Sequence, residues 1–379
     1  MGRMMKLRLM LAACLVASAV GQAIAQGDMS AQMKDAIVSF DSPAVKARGR
    51  KLQAAKDACL KKVARALRAR QAKTNVILLT LDGVRYQEFF ASADVSVDPN
   101  ASAVKALPLF WSWMAPNGVV LGDPKQGSVM TISNTAYISL PAYFSIMAGS
   151  TQPCWTNDCK RTAVETLPER IKRELGLKTE AVAVIASWDK IADAAEHVAG
   201  AVHVKAGKWK ASDRAWHDGT PYDDLTFPRA MDYLMRNKPR FMFISLNDSD
   251  AWAHEGKYPQ YLASLRQYDK WMSMLLGTLS SLGEYGKNTT LIITTDHGRG
   301  SGPEGWKHHT DVKEAKDVWF YAAGPGVKRR GSVAGVQAYE HADIRPTVEA
   351  LFGLVPCEGC TGKVISEVVS PVTLDACGS

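Results

Sequence analysis

The sequence predicts an α/β fold in which a mostly parallel central sheet is covered by helices on both faces. The main observation is an alternation: six short, almost wholly apolar runs typical of buried strands alternate with five stretches of helical periodicity. The second is size, because 379 residues with 46% apolar and 22% charged side chains can bury the core of such a layered fold. This composition excludes disorder, collagen and a bare disulfide scaffold.

The predicted elements follow one another from residue 75 onward. The strands are 75–81, 119–121, 181–186, 241–246, 290–295 and 318–322. The helices are 141–147, 167–175, 228–236, 258–282 and 344–352. Because residues 201–227 carry several aromatic side chains with little periodicity, we predict a locally packed surface loop there, with a loop that shapes a substrate pocket as the alternative.

The first 25 residues have the pattern of a secretory signal. Three basic residues precede the apolar stretch 9–20, and an A-x-A cleavage site ends at Ala25. The stretch is too short to cross a bilayer. We therefore expect export to the periplasm or the medium, with a mature chain that starts at Gln26. The alternative is a membrane-anchored lipoprotein, because the sequence L-A-A-C ending at Cys14 resembles a lipoprotein cleavage box.

A basic segment follows, and residues 26–73 are predicted as an amphipathic helical N-terminal segment. Residues 46–73 contain eleven Lys or Arg and a single acid, Asp57, so the basic balance of the chain is local. Such a helix could lie on an anionic membrane or bind an acidic partner, but we favour a solvated helix with its apolar stripe on the protein body. No nucleic-acid motif accompanies it, so we expect no nucleic-acid partner.

Cysteine usage fits an exported protein. Six cysteines remain if Cys14 leaves with the signal, and an even number in such a chain predicts disulfides. Cys154 and Cys159 form a plausible local pair. Cys357 and Cys360, which open a Cys-containing C-terminal tail at 357–379, are interpreted as a structural staple because no second half of a metal motif follows them.

Acidic and imidazole side chains follow three of the predicted strands. In a parallel sheet, ligands bind beyond the carboxyl ends of the strands, so these side chains should meet at one edge. The candidates are Asp82, Asp248, Asp250, His254, Asp296, His297, His308 and His309. Only Asp250 has a three-residue gap to His254, which disfavours Asp248. Because the set mixes imidazoles with carboxylates, it suits two divalent ions, with zinc the expected metal.

Ser139 is the best candidate for a nucleophile beside such metals. It precedes Leu140-Pro141, and a serine just before an N-terminal proline is typical of a helix start. A hydroxyl at a helix N-terminus lies where free backbone N–H groups favour an anion such as phosphate. The alternative is that Ser139 is an ordinary helix cap.

The motifs L-D-G, S-L-P-A-Y-F-S-I-M-A-G, D-A-W-A-H and T-T-D-H-G, followed by a later histidine, resemble the alkaline phosphatase superfamily in this order. The branch that they resemble most is the one similar to nucleotide pyrophosphatases/phosphodiesterases, over residues 75–353. This resemblance implies a three-layer sandwich and a catalytic metallohydrolase domain, which we place at 74–356. It implies two zinc sites faced by Ser139: Asp250, His254 and His309 in one, and Asp82, Asp296 and His297 in the other.

The same resemblance leaves some assignments open. Trp306 favours His309 over His308, which is the fallback ligand. Asn157 lies about where this branch places an asparagine that donates to a phosphoryl oxygen, although a turn residue between Cys154 and Cys159 is an equal alternative.

The resemblance also implies an activity: hydrolysis of phosphate mono- or diesters through a phosphoseryl intermediate, on small substrates that include nucleotide-like ones. Sulfatases of the superfamily need Cys or Ser followed by x-Pro-x-Arg for conversion to formylglycine, and Tyr143 stands where that arginine would be. Sulfatase chemistry is therefore disfavoured. A phosphonate or sulfate ester hydrolase, or a phosphotransferase, on the same scaffold is the alternative. No arginine has a spacing that identifies it as the residue that binds the second negative charge of a monoester. Monoesterase and diesterase activity therefore both remain possible interpretations of the sequence.

Overall fold

A computed structural model describes residues 43–101 and 105–369 of the chain. The predicted signal segment with Cys14, and the end of the tail with Cys377, lie outside the described residues. The chain divides into two compact units, Met1–Arg65 with Thr373–Ser379, and Ala66–Val372. In the first unit, residues 43–65 are helical and largely exposed to solvent. The second unit contains the sheet and all the candidate site residues.

The second unit is built on one eight-stranded sheet. Its strands are β1 (Asn75–Leu81), β2 (Val119–Leu121), β4 (Val182–Ala186), β5 (His203–Ala206), β6 (Phe241–Leu246), β7 (Thr289–Thr294), β8 (Phe320–Ala323) and β9 (Gly331–Ser332). Their order is β5-β4-β6-β1-β7-β8-β2-β9. The first five run parallel, β8 is antiparallel to β7 and β2, and β9 pairs parallel with β2. A second, two-stranded sheet pairs β3 (Met130–Thr131) with β10 (Tyr339–Glu340).

Helices of the second unit cover both faces of this sheet, as the sequence predicts. The helices of the described residues are numbered from the N-terminus. They are α1 (Pro43–Lys73), α2 (Tyr86–Phe90), α3 (Ser139–Ala148), α4 (Leu167–Glu174), α5 (Ile191–Ala195), α6 (Asp223–Asn237), α7 (Asp248–His254), α8 (Tyr258–Ser281), α9 (Glu284–Lys287), α10 (Gly302–Gly305) and α11 (Ile344–Leu351). No helix in the described part of the chain is both long and apolar enough to cross a membrane.

Two apolar cores lie on opposite faces of the sheet. Side chains alternate along β1, so Val76 and Leu78 join the core that contains α3, α4 and α11, whereas Ile77 and Leu79 join the core that contains α6 and α8. All seven residues of β1 are buried, which explains its continuous apolar run. The fold class predicted from the sequence is confirmed.

The prediction of a loop over residues 201–227 is wrong at both ends. Residues His203–Ala206 form the edge strand β5. Its side chains are partly exposed and include His203 and Lys205, so a search for apolar runs does not detect it. Helix α6 begins at Asp223 rather than at 228, and Pro228 lies inside it. Pro228 is the sixth residue of this helix, beyond the first four N–H groups that lack an intrahelical partner, so the helix accepts the loss of one backbone hydrogen bond and the proline does not mark its start.

Two local disulfides lie in the second unit. Cys154 pairs with Cys159 and Cys357 with Cys360, at Cα–Cα distances of 5.8 and 5.6 Å, which confirms both local predictions. Each fixes a loop near an end of α3: Asn157, inside the first bridge, binds the Leu140 amide, and Cys360 contacts the Ala148 carbonyl. Helix α3 is thus held at both ends.

Candidate metal centre

The carboxyl ends of β1, β6 and β7 bring the predicted ligands together. Strand β1 pairs in parallel register with both neighbours, so the three strands end side by side. Asp82 directly follows β1, Asp250 lies in the first turn of α7 after β6, and Asp296 follows β7 after one residue. The topology therefore delivers one carboxylate from each strand to the same point.

Asp82, Asp296 and His297 form the first ligand group, and all three are buried. The His297 Nε2 atom lies 3.6 Å from Asp82 Oδ1 and 3.5 Å from Asp296 Oδ2. Its other ring nitrogen, Nδ1, is 2.9 Å from the Gly298 carbonyl, which orients Nε2 toward the carboxylates. Asp296 Oδ1 accepts from the Gly83 amide, whereas Oδ2 is buried and has no hydrogen bond from the described residues.

Asp250, His254 and His309 form the second group. Asp250 and His254 are four residues apart on α7, so they share one helix face, with His254 Nε2 3.2 Å from Asp250 Oδ2. The Nε2 atoms of His309 and His254 are 3.3 Å apart. His309 Nδ1 lies 2.5 Å from the Tyr137 carbonyl, which fixes its ring. His308, the fallback ligand, is exposed and belongs to neither group.

The electrostatics of the first group fit a bound cation. Burial raises the pKa of Asp82 well above its usual range, and the charges of Asp296 and Asp250 raise it further. Burial likewise raises the pKa of Asp296 to about 6. It lowers the pKa of His297 to about 4, which keeps the imidazole neutral. Crowded carboxylates with a neutral imidazole and an orphaned oxygen form a donor set that a divalent ion would neutralise.

Arg299 acts on Asp250, a contact that sequence reasoning missed. Although burial alone would raise the pKa of Asp250, the Arg299 guanidinium holds it well below its usual range. Arg299 is itself fully buried and donates to Asp250 Oδ1 and to the Lys307 carbonyl. The other oxygen, Asp250 Oδ2, faces His254. A partner on one oxygen of a ligating carboxylate fixes the other for the metal.

Ser139 is placed beside the first ligand group and opens onto a pocket shared with the second. Its Oγ lies 3.2 Å from His297 Nε2 and 3.5 Å from Asp82 Oδ1. Ser139 is the first residue of α3, and Ile138 occupies the cap position without a side-chain cap bond. The alternative of an ordinary cap is therefore wrong, and the hydroxyl is left to face the ligand groups.

Tyr143, one turn after Ser139, contacts the first group as well. Its hydroxyl donates to Asp82 Oδ2 at 3.1 Å and accepts from Ser245 Oγ at 3.2 Å. The ring is fully buried. The sequence shows a tyrosine at the position of the sulfatase arginine, but only the direction of the helix shows that it reaches a metal ligand.

Asn157 lies at the wall of a cavity of about 470 Å³ that Ser139, Asp250 and His254 also line. Its Oδ1 atom accepts from the Leu140 amide at 3.0 Å, and its amide nitrogen has no hydrogen bond to the described residues. Asn157 therefore holds its loop to α3, as the alternative of a turn residue expects. Its role as a donor to a phosphoryl oxygen stays a prediction.

Two further polar residues near the site, Asp248 and His341, bind groups outside the two ligand groups. Asp248 accepts from Trp216 Nε1 and the Asp223 amide, so it supports the pocket wall and is outside both ligand groups. His341 is buried behind the site, with Nε2 2.9 Å from the Thr295 carbonyl.

Two arginine side chains near the sequence motifs form ion pairs with carboxylates. Arg85 pairs with buried Glu88 and donates to the Gly300 carbonyl, which positions the loop after β7. Arg161 pairs with Asp193 and Glu196.

Residues 74–354 match the protein family described as Sulfatase, so the chain belongs to that family. It is similar in structure to a 2-O GAG sulfatase (TM-score 0.54, 15% identity, 78% of this chain and 73% of that one). It is also similar to the phosphonate monoester hydrolase of Agrobacterium radiobacter (TM-score 0.54, 13% identity, 77% of this chain and 76% of that one). A third similar structure is a mutant of the alkaline phosphatase PafA (TM-score 0.52, 12% identity, 78% of this chain and 98% of that one). No curated protein gives a significant match.

At these identities the three likenesses show the fold alone. Together with the family match, they make the chain a sulfatase-family hydrolase of the alkaline phosphatase superfamily. Enzymes of this kind depend on metal ions, and the two ligand groups are the residues that fit such ions here.

Proposed function

We propose that the chain is an exported two-metal phosphoesterase that forms a phosphoseryl intermediate on Ser139. The observation that carries this proposal is the position of the Ser139 hydroxyl, within 3.5 Å of two residues of the first ligand group and on a cavity lined by two residues of the second. We place the enzyme in the branch similar to nucleotide pyrophosphatases/phosphodiesterases, on the motif order of the sequence.

The chemistry divides between the metals and the chain. When bound, two divalent ions would favour the ionised hydroxyl and stabilise the negative charge that develops at phosphorus. Ser139 Oγ forms the bond to phosphorus as the bond to the leaving oxygen breaks, and the alcohol departs with a proton. We assign to the amide nitrogen of Asn157, whose Oδ1 accepts from the Leu140 amide, donation to a non-bridging oxygen. Water then cleaves the phosphoseryl ester and restores Ser139.

The two ligand groups favour zinc. Each combines carboxylate oxygen with imidazole nitrogen, three protein donors that leave positions open for substrate. Calcium and magnesium prefer oxygen alone. Elemental analysis of the purified protein tests this part, and we expect two zinc ions per chain.

Tyr143 favours phosphate over sulfate chemistry. The family includes sulfatases, but the arginine needed for conversion to formylglycine is replaced here by a tyrosine that binds Asp82. An unmodified serine is therefore the expected nucleophile, and phosphoryl esters are its expected substrates. Mass spectrometry of the Ser139 peptide tests this directly, because formylglycine would show a mass lower by two hydrogens.

Singly charged esters fit the site best. Arg85, Arg161 and Arg299 are held by carboxylates, so none of them supplies a cation for the second charge of a monoester. A phosphate diester, with one charge, avoids that need. A phosphonate monoester carries the same single charge, and a structural neighbour is described as a phosphonate monoester hydrolase, so this is the second candidate.

A four-substrate panel tests the proposal. We expect initial rates on bis-p-nitrophenyl phosphate and p-nitrophenyl phenylphosphonate to exceed those on p-nitrophenyl phosphate and p-nitrophenyl sulfate. Sulfate as the best substrate would overturn the proposal. Transfer to excess alcohol would reveal the phosphotransferase alternative. Thymidine 5′-p-nitrophenyl phosphate tests nucleotide-like substrates, for which Trp188 and Trp216 offer stacking faces.

A further inference from the structure

The cavity beside Ser139 continues beyond the ligand groups into an aromatic wall. Trp188 and Trp216 line it, from the loop after β4 and the segment before α6. Trp216 is held in place because its Nε1 donates to Asp248 Oδ1 at 2.9 Å and its ring packs edge-on against Trp252, with centroids 4.5 Å apart. Trp216 also packs against Tyr222, so what it presents to the cavity is a fixed and largely buried ring, whereas Trp188 is only partly buried.

The charged side chains around these rings are acidic. Asp218 and Glu255 line the cavity, and the lining residues of this pocket within the described chain include no lysine or arginine. The Glu255 carboxylate forms no ion pair or hydrogen bond with a described residue, and Asp218 accepts only from Thr220. Both therefore keep their negative charge available to a ligand.

Two cations of this region are already paired. Arg214 lies over the Tyr222 ring and pairs with Asp224. Lys307, near Gly256, pairs with Glu304. Neither lines the cavity, so neither offsets the two carboxylates. Beyond the ligand groups, the charged protein side chains that line the cavity are therefore negative, which favours a cationic substituent on the substrate over an anionic one.

We propose that this wall selects phosphoesters that carry an organic ammonium group, with Trp188 and Trp216 facing the cation and Glu255 and Asp218 neutralising it. The inference rests on the proposed function, since the phosphoryl group must sit at Ser139 for its substituent to reach the wall. Aromatic faces attract ammonium ions through the ring quadrupole, and nearby carboxylates add to that attraction. Polyanionic substrates, such as sulfated saccharides, are disfavoured by the same residues.

A pair of substrates that differ only in charge tests the inference. In p-nitrophenyl phosphocholine the substituent ends in a trimethylammonium group, and in p-nitrophenyl 3,3-dimethylbutyl phosphate a carbon replaces that nitrogen. We expect kcat/KM to favour the choline ester by about tenfold, the size of one cation–π contact aided by carboxylates. Glu255→Gln should lower the ratio about threefold, and Trp188→Leu should lower it by a similar factor.

Glu284→Gln is the matched control. It removes the same charge from an exposed residue on α9, at the opposite end of β7 from the site, so the ratio should stay at the parent value. A parent ratio of one or less, with the neutral ester still hydrolysed, overturns this inference and leaves the phosphoesterase proposal standing. A ratio that survives both Glu255→Gln and Trp188→Leu also overturns it. No turnover of either ester by the zinc-loaded protein overturns both proposals.

Discussion

Replacing Tyr143 with phenylalanine should weaken metal binding at the Asp82 group. The hydroxyl donates to Asp82 Oδ2 at 3.1 Å, and the ring is wholly buried on α3. Phenylalanine keeps the ring and its packing near Phe243, so only the hydroxyl is lost. A hydrogen bond to a charged group contributes about 1.5–3 kcal/mol. Loss of a residue that holds a metal ligand typically lowers metal affinity by about 10–100-fold, and we expect the zinc affinity of the variant to fall by that factor.

The assay is a metal titration of the apo protein, with zinc occupancy and phosphodiesterase rate measured together. The variant should need about 10–100-fold more free zinc for half-maximal rate, and excess zinc should restore much of the rate. Tyr321→Phe is the control, since it removes a buried hydroxyl that donates to the Met114 carbonyl away from both ligand groups. Equal zinc dependence in the parent, Tyr143→Phe and Tyr321→Phe would refute the positioning role.

Three further predictions concern single residues of the site. Ser139→Ala should lower turnover by about 10³-fold or more with zinc content intact, because only the nucleophile is lost; a parent-like rate in steady-state assays would exclude a phosphoseryl intermediate. His309→Ala should lose bound zinc by elemental analysis whereas exposed His308→Ala should not, and equal stoichiometry would contradict the ligand choice. Asn157→Ala should reduce kcat/KM by about 10–100-fold at full zinc occupancy, and an unchanged value would leave Asn157 as a loop residue only.

The central sheet could be predicted because its chemistry is local and repetitive. Strands such as β1 and β6 are buried on both faces, so each is mostly apolar and is followed directly by a polar residue. The edge strand β5 escaped prediction because it is partly exposed and reads as an ordinary polar segment. Edge positions lack the burial that creates a pattern in sequence.

Five of the six ligands could be placed from sequence because they lie at a strand end or on one helix face, whereas His309 and the division into two groups came from the family resemblance. The spacing of Asp250 and His254 already fixes them on one side of α7, and parallel pairing fixes Asp82 beside Asp296. The residues that contact the ligands from other parts of the chain could not be predicted in this way. Arg299 reaches Asp250 across the site from another loop, and no periodicity reports a contact between residues 49 positions apart.

Helix α3 carries the proposed nucleophile and contacts both a proposed metal ligand and the loop of the proposed substrate donor. Ser139 opens it, Tyr143 one turn later binds Asp82, and the Leu140 amide binds the loop that carries Asn157. A shift of this helix would therefore move the hydroxyl, loosen the carboxylate and displace the amide together. The position four residues after the proposed nucleophile therefore separates two expected chemistries: sulfatases need an arginine there for conversion to formylglycine, whereas here Tyr143 contacts Asp82 of the first ligand group and an unmodified serine is expected.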